Sequence, residues 1–288
     1  MEIFYSEKCL AYHSPGHPES PERLRSTAKG LKAKGYRFEP PVPCTEKDLL
    51  GVHDPRMVRS VRDETFLDPD TPALPGIFEH AALAAGSAVC AMRVAAGGGN
   101  AFSLMRPPGH HATRNRVMGF CYFNNIAVAS ARFLEDHPGK RMALLDIDCH
   151  HGNGTEDIFL GREGILVVSL HQSPLYPGTG IDSAMNCLNF PLPPFTEEIR
   201  YLETLGSACD KIMEFHPELI GVSAGFDTYE NDPLAQLKLK ISTYEKIGAA
   251  IAGMKIPLFI VMEGGYAENL SSCVCKFIEG IQIHKDSK

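Results

Sequence analysis

The sequence predicts an α/β fold with a central, mostly parallel sheet, and three observations support this prediction. Short apolar runs recur along the chain, as in strands whose two faces are both covered by helices. Amphipathic stretches typical of helices separate these runs, which is the order found in parallel sheets. No linker, repeat or charge block divides the 288 residues, so a single domain over residues 1–288 is expected.

The predicted strands share one pattern, in which an apolar run leads into polar residues rich in His, Asp or Tyr. In chain order the runs are NAFSLM (100–105), MALLDID (142–148), ILVVSLH (165–171), LIGVSAGFD (219–227) and PLFIVMEGG (257–265). The helical patterns cover residues 77–96, 123–136, 196–215, 241–254 and 267–283. Ligands of open parallel sheets bind beyond the carboxyl ends of the strands. The polar segments are therefore predicted to converge on one site.

Composition excludes several classes of protein. The formal net charge of −7 provides no basic surface of the kind that binds nucleic acid. The nine cysteines contain no C-x-x-C pair, so they are interpreted as buried hydrophobes of a reducing compartment. Neither a signal peptide nor an uncharged apolar run of membrane-spanning length is present, so no membrane association and a cytoplasmic location are expected.

The stretch LLDIDCHHGNGTED (144–157) predicts a metal site. Charged groups at the edge of a core cost several kcal/mol unless they are paired or bound to a metal. Strand alternation would place Asp146, Asp148 and His150 on one face, with i and i+2 about 6.6 Å apart, and Cys149 on the other face as a packing residue. Asp227 ends another apolar run.

Two carboxylates and one imidazole, with a coordination position left open, are typical of a catalytic zinc site, although iron or manganese also accept these ligands. Two simpler interpretations remain open at this point. The first stretch could be a solvated strand end, and Asp227 could cap the turn that follows it.

Two further segments suggest acid–base chemistry. RPPGHH places His110 and His111 after a rigid turn, and histidine moves protons at neutral pH. Asp146 and Asn153 are available to orient the two rings. EGGY places Tyr266 after two glycines, where its phenol could donate to a developing oxyanion. Surface histidines and a tyrosine lid are the alternatives, but together with the metal these residues predict metal-assisted hydrolysis of an acyl compound.

With these residues assembled, the chain resembles the zinc-dependent histone deacetylase family, in particular its second class. This family includes bacterial histone deacetylase-like amidohydrolases and acetylpolyamine amidohydrolases. The resemblance runs from GHPESPERL near residue 16 to EGGYAENL near residue 270. The motifs that carry it, in family order, are RPPGHHA, GFCYFNN, DIDCHHGNGTED, SLHQSPLYPGTG, AGFDTYENDPLA and EGGY. It implies a three-layer α/β/α fold of the arginase and deacetylase type.

The resemblance also implies roles for individual residues. Zinc would be bound by Asp148, His150 and Asp227. His111 would act as general base and later as general acid, with Asn153 behind it where the first class of the family has aspartate. The remaining implied roles are Asp146 behind His110, Tyr266 on the acyl carbonyl, a substrate tunnel formed by Gly119, Phe120, Tyr176, Leu234 and Gly265, and a structural potassium ion at Asp146, Asp148, His150, Ser169 and Leu170.

The implied reaction is hydrolysis of the acetyl amide of N-ε-acetyllysine in proteins or peptides, with release of acetate. A small acetylated amine such as an acetylpolyamine is the alternative substrate, and the lack of a long insertion to narrow the entrance favours acetyllysine. A two-metal amidinohydrolase and a non-catalytic binding module are the other hypotheses. The first would need further carboxylates around a second ion, and the second conflicts with the complete set of chemical groups.

Overall fold

The computed structural model describes residues 1–283 and is built on a seven-stranded sheet in which all neighbouring strands are parallel. The strands are β1 (Glu2–Phe4), β2 (Asn100–Ser103), β3 (Met142–Asp146), β4 (Ile165–Gln172), β5 (Cys187–Leu192), β6 (Leu219–Ala224) and β7 (Leu258–Met262). Their spatial order is β1-β2-β7-β6-β3-β4-β5. The predicted α/β fold with a parallel sheet is confirmed.

Helices cover both faces of the sheet, which gives the predicted three layers. They are α1 (Pro21–Ala33), α2 (Glu46–Leu50), α3 (Pro55–Arg62), α4 (Ile77–Ala96), α5 (Asn125–Asp136), α6 (Asn153–Phe159), α7 (Glu198–Phe215), α8 (Ile241–Gly253) and α9 (Leu270–Ile283). One hydrophobic core joins the sheet to α1, α7, α8 and α9. A second core, on the opposite face, joins it to α2 through α6.

Two strands and four helices were not predicted from the sequence. β1 has only three residues, and β5 is a partly exposed edge strand that contains Pro191, so neither has the continuous apolar run of a central strand. The helices α1, α2 and α3 lie in the charged N-terminal quarter. α6 begins at Asn153, inside a segment whose polar residues had suggested a loop.

The strands that lead to the site end earlier than predicted. β3 stops at Asp146 and β6 at Ala224, so the alternation proposed for Asp146, Asp148 and His150 does not apply beyond the first of them. The backbone N–H of residue 148 donates to Asp146 Oδ1 (3.0 Å), and that of His150 donates to Asp148 Oδ1 (2.9 Å). Carboxylates thus replace the neighbouring strand as acceptors, and the chain turns.

Among the described residues, α4 is the one helix long and apolar enough to cross a membrane. Such a composition is also found in core helices of globular proteins. Here 67% of the relevant 18-residue window is buried inside the protein, where α4 packs on the sheet and on α5. Its apolar residues are accounted for by the second core.

Candidate metal centre and active-site cleft

Three side chains at the carboxyl edge of the sheet form a candidate metal centre. Asp148 and His150 follow β3, Asp227 follows β6, and their ligand atoms lie within 4.8 Å of one another. His150 Nδ1 is 3.1 Å from Asp148 Oδ1 and 2.9 Å from Asp227 Oδ2. Both carboxylates are fully buried. Two carboxylates and one imidazole nitrogen, brought together in a buried place, fit a divalent cation.

The charges of this cluster favour a cation. Burial alone would lower the pKa of His150, but its hydrogen bonds to Asp148 and Asp227 raise it to about 10. Burial raises the pKa of Asp227 to about 7, with a contribution from the charge of Asp148. The two carboxylates therefore hold a positive charge between them, and a metal ion can take the place of the proton.

Backbone groups fix both carboxylates. Cys149 N–H donates to Asp227 Oδ1 (2.8 Å), and Gly264 N–H donates to Asp148 Oδ2 (2.8 Å). A Cβ at position 264 would lie 2.5 Å from Asp148 Oδ2 and from Asp227 Oδ2, so glycine is required for this approach. Burial raises the pKa of the Cys149 thiol well above its usual range, which agrees with a packing role for this residue.

The tandem histidines lie beside the centre, and each ring has a partner. His110 Nδ1 is 2.9 Å from Asp146 Oδ2, and His111 Nδ1 is 2.7 Å from Asn153 Oδ1. The ring centroids are 4.0 Å apart, and the His111 ring is 5.8 Å from that of His150. Because an amide oxygen only accepts, His111 Nδ1 carries its hydrogen and leaves the lone pair on Nε2.

The two histidines differ in charge. Burial alone would lower the pKa of His110, but the Asp146 and Asp148 carboxylates raise it well above its ordinary value. Burial holds the pKa of His111 well below its ordinary value, and the charges of His110 and His150 add to this effect. At neutral pH, His110 is therefore protonated, whereas His111 is neutral and has a lone pair available on Nε2.

Tyr266 stands at the opposite wall of the cleft and is held from two sides. Its backbone N–H donates to Asp232 Oδ2 (2.7 Å), while Asp232 Oδ1 accepts from the N–H of Leu234 (2.9 Å). The Arg23 guanidinium lies 4.6 Å from the centre of the phenol ring. It also donates to the carbonyl of Gly265 (2.7 Å). One carboxylate thus positions both Tyr266 and Leu234.

A cleft of about 230 Å³ opens over these groups. Its lining includes most of the residues predicted to bind substrate and the tandem histidines: His110, His111, Gly119, Phe120, His150, Tyr176, Leu234 and Tyr266. Gly265 lies behind Tyr266 and is buried. Tyr176 is 38% exposed, and its ring meets that of His111 edge-on at 5.2 Å.

A tight turn presents Phe120 to the cleft. Gly119 and Phe120 have φ of +59° and +69°, and Met118 and Cys121 exchange backbone hydrogen bonds on either side of them. This is a two-residue hairpin, and its backbone conformation is unfavourable for phenylalanine. The Phe120 N–H donates to Thr71 Oγ1 (2.8 Å), which anchors the turn.

Sequence reasoning did not identify several residues of the site. Asp70, Pro108 and Leu175 line the cleft. Arg23 and Asp232 hold the tyrosine segment. Both occur in motifs that carry the resemblance, GHPESPERL and AGFDTYENDPLA, so the motifs were the available signal.

Of the residues predicted to bind potassium, Asp148 and His150 belong to the metal centre, and the other three lie on β3 and β4. Asp146 and Ser169 are register partners on β3 and β4, and Leu170 follows Ser169. Ser169 Oγ is 2.9 Å from His171 Nδ1, and His171 Nε2 is 2.9 Å from the carbonyl of Gly180. Because Nε2 must donate to this carbonyl and burial lowers the pKa of His171 to about 4, Nδ1 accepts the hydrogen of the serine hydroxyl.

Comparisons with known proteins agree with this geometry. The histone deacetylase domain family matches residues 17–281. A probable deacetylase of Methanothermobacter thermautotrophicus is 37% identical, with 98% of this chain and 90% of the relative covered. A histone deacetylase-like amidohydrolase of Pseudomonas aeruginosa is 37% identical, with 88% and 73% covered.

A solved structure is also similar over nearly the whole chain. The crystal structure of the acetylpolyamine aminohydrolase from Burkholderia pseudomallei has a TM-score of 0.92 at 27% identity and covers 98% of this chain and 99% of its own. Its likeness agrees with the three-layer fold, and the family match spans the cleft and the candidate metal centre. The chain therefore belongs to the histone deacetylase family and is a metal-dependent amidohydrolase.

Proposed function

We propose that the protein removes the acetyl group from N-ε-acetyllysine in proteins or peptides, giving acetate and the free amine. The observation that carries the proposal is the joint position of a buried three-ligand centre, a neutral His111 and Tyr266 in one apolar cleft. Phe120, Tyr176 and Leu234 offer apolar walls for the methylene chain of the substrate. This arrangement favours an acyl amide at the end of a long side chain.

Asp148, His150 and Asp227 would hold zinc. When bound, zinc supplies a Lewis acid that polarises the acyl carbonyl and acidifies water. His111 Nε2 accepts the proton of the attacking water and later delivers it to the departing nitrogen. Asn153 keeps this ring in the required tautomer.

Tyr266 and the pair formed by Asp146 and His110 stabilise charge in the proposed reaction. The phenol of Tyr266 donates a hydrogen bond to the carbonyl oxygen as negative charge develops on it. Asp146 holds His110 in its charged form beside the reacting groups. The apolar walls exclude bulk water, which strengthens both interactions.

Replacing Tyr266 tests the oxyanion role. Tyr266→Phe removes one hydrogen-bond donor and is expected to lower kcat by on the order of 100-fold, with the zinc content unchanged. Steady-state kinetics on an acetyllysine peptide, with metal analysis of the same sample, measures this. Tyr36→Phe is a matched control, because that hydroxyl bonds to Gln282 near the C-terminal end of α9, and neither residue lines the cleft. Turnover of Tyr266→Phe equal to that of the control would contradict the role.

A small acetylated amine is the second candidate substrate, and one observation favours it. Asp70 lines the cleft of a chain with a net charge of −7, and both features favour a cationic polyamine. The Burkholderia relative is named for this activity. The deciding experiment compares kcat/KM on acetyllysine peptides and on acetylated polyamines, with metal-stripped and zinc-restored protein. A ratio that favours polyamines would reverse the order of the candidates.

The remaining proposals concern the ions, the domain and the location. Among residues 1–283 one group of ligands fits a metal, which supports a single zinc and argues against a two-metal amidinohydrolase. A potassium ion at Asp146, Asp148, His150, Ser169 and Leu170 is supported by the hydroxyl of Ser169, whose hydrogen is directed to His171 and whose lone pairs stay available. We also propose one catalytic domain over residues 1–288. All nine cysteines are free, which supports a cytoplasmic location.

A further inference from the structure

Glu263 is a buried carboxylate that the proposed reaction does not use. It follows the last residue of β7 and has no exposed surface. Its Oε2 accepts from the backbone N–H of Gly109 (2.7 Å) and from that of His110 (3.2 Å). Its Oε1 accepts from the hydroxyl of Ser223 (3.2 Å). Two backbone N–H groups and one hydroxyl thus contact this carboxyl group, and Oε2 accepts from both N–H groups.

These contacts join two segments that carry the chemistry. Gly109 and His110 belong to the loop after β2, and the two N–H groups lie at the start of the tandem histidines. Glu263 precedes Gly264, Gly265 and Tyr266 in the loop after β7. Its own carbonyl accepts from Arg23 (2.6 Å), the residue whose guanidinium also lies over the Tyr266 ring. The side chain of Glu263 thus holds the loop of the tandem histidines, while its backbone carbonyl binds the arginine that lies over Tyr266.

The contacts of Glu263 differ from those of the other carboxylates near His110. Asp146 and Asp148 already provide negative charge beside His110, and Asp146 contacts the imidazole directly. Glu263 makes no hydrogen bond to an imidazole ring. It accepts instead from the backbone N–H groups of Gly109 and His110. Loss of these acceptors would leave two buried N–H groups unpaired and free the loop to shift.

We propose that Glu263 is a positioning residue that holds the tandem-histidine loop at a fixed distance from the Tyr266 loop through two backbone hydrogen bonds. The proposal rests on the proposed function, since it assigns the residue to the same reaction. It predicts that the geometry of the acceptor, and not its charge, sets the rate. A role in packing alone would change stability and leave kcat of the folded enzyme unaltered.

Two conservative variants separate reach from charge. Glu263→Gln keeps the length, and its amide oxygen can accept from both N–H groups while its NH₂ donates to Ser223 Oγ. Glu263→Asp keeps the charge but is one methylene shorter. We expect kcat within about 5-fold of wild type for Glu263→Gln, and a fall of roughly 10- to 100-fold for Glu263→Asp, with KM and zinc content little changed. Ser223→Ala is the matched control, because it removes only the contact to Oε1.

A second measurement is independent of turnover. Amide hydrogen exchange of Gly109 and His110 is expected to be slow in wild type and in Glu263→Gln, and at least 10-fold faster in Glu263→Asp. Equal kcat for the Gln and Asp variants, or a greater loss for Gln, would overturn the proposal, as would unchanged exchange in Glu263→Asp. Should no variant and no wild-type sample hydrolyse an acylated amine, the proposed function fails, while the exchange result still decides whether Glu263 holds the loop.

Discussion

Acidification is expected to destabilise the fold through His53, a buried residue between α2 and α3. Its Nδ1 is 2.9 Å from the carbonyl of Thr113, and its Nε2 is 2.9 Å from the backbone nitrogen of Asn124. The ring therefore donates at Nδ1 and accepts at Nε2, and a second proton would replace this acceptor with a donor. Burial lowers the pKa of His53 from 6.5 to about 4.

The sign and the size of the effect follow from this shift. The pKa of the folded state lies below that of the unfolded chain, so the unfolded chain takes up a proton first as the pH falls. The stability contributed by the neutral ring is complete above pH 6.5, declines as the pH falls toward 4, and then levels off. Between pH 7 and pH 5 the free energy of unfolding is expected to fall by about 2 kcal/mol from this residue alone.

Equilibrium urea unfolding at pH 7 and at pH 5 measures the effect. His53→Gln is the variant, because its amide can make both hydrogen bonds but does not titrate. A metal chelator is present in every sample, so that no metal binds, and the other groups titrate alike in the two proteins and cancel in the difference between them. The wild type is expected to lose about 2 kcal/mol more than the variant over this interval. Equal losses would refute the assignment of a neutral, buried His53.

Two further predictions concern the site. Gly264→Ala is expected to weaken zinc binding at least 10-fold in a competition titration with a chelator, because its Cβ would meet both carboxylates of the centre. Gly206→Ala is the control, because a Cβ at that position meets nothing within 4 Å. Equal zinc affinities of the two variants would contradict the prediction. Asn153→Ala is expected to lower kcat roughly 10- to 100-fold because His111 loses its acceptor, and Asn153→Asp is expected to restore most of it. A fully active Asn153→Ala would show that His111 needs no such partner.

The fold was largely predictable because its central strands are apolar along their whole length. α4 has the bounds that its amphipathic pattern indicates, Ile77–Ala96, and the five strands with continuous apolar runs all form. β1 and β5 were not predicted, because these edge strands are short or half exposed and have no continuous apolar run. Local pattern therefore finds the centre of a sheet better than its edges.

The site was predictable as a set of residues but not as a geometry. Alternation along one strand suggested that Asp148 and His150 share a face, whereas the chain has left the strand and their N–H groups bond to carboxylates. Glu263 could not be recognised, because its partners are backbone groups 153 and 154 residues away in sequence. Motifs indicate which side chains do chemistry, but rarely which ones hold the backbone beneath them.

The shared contacts of Asp232 have a consequence for substrate selection. Asp232 Oδ2 accepts from the backbone N–H of Tyr266, and Asp232 Oδ1 accepts from that of Leu234, which lines the cleft. We expect that a substrate that pushes Leu234 outward also pulls on Asp232 and so displaces the Tyr266 hydroxyl from the position proposed for its contact with the acyl carbonyl. If the proposed function holds, acyl amines that fit poorly are expected to be discriminated at the chemical step as well as on binding. Substitutions that enlarge the wall at Leu234 for bulkier substrates are then expected to lower kcat.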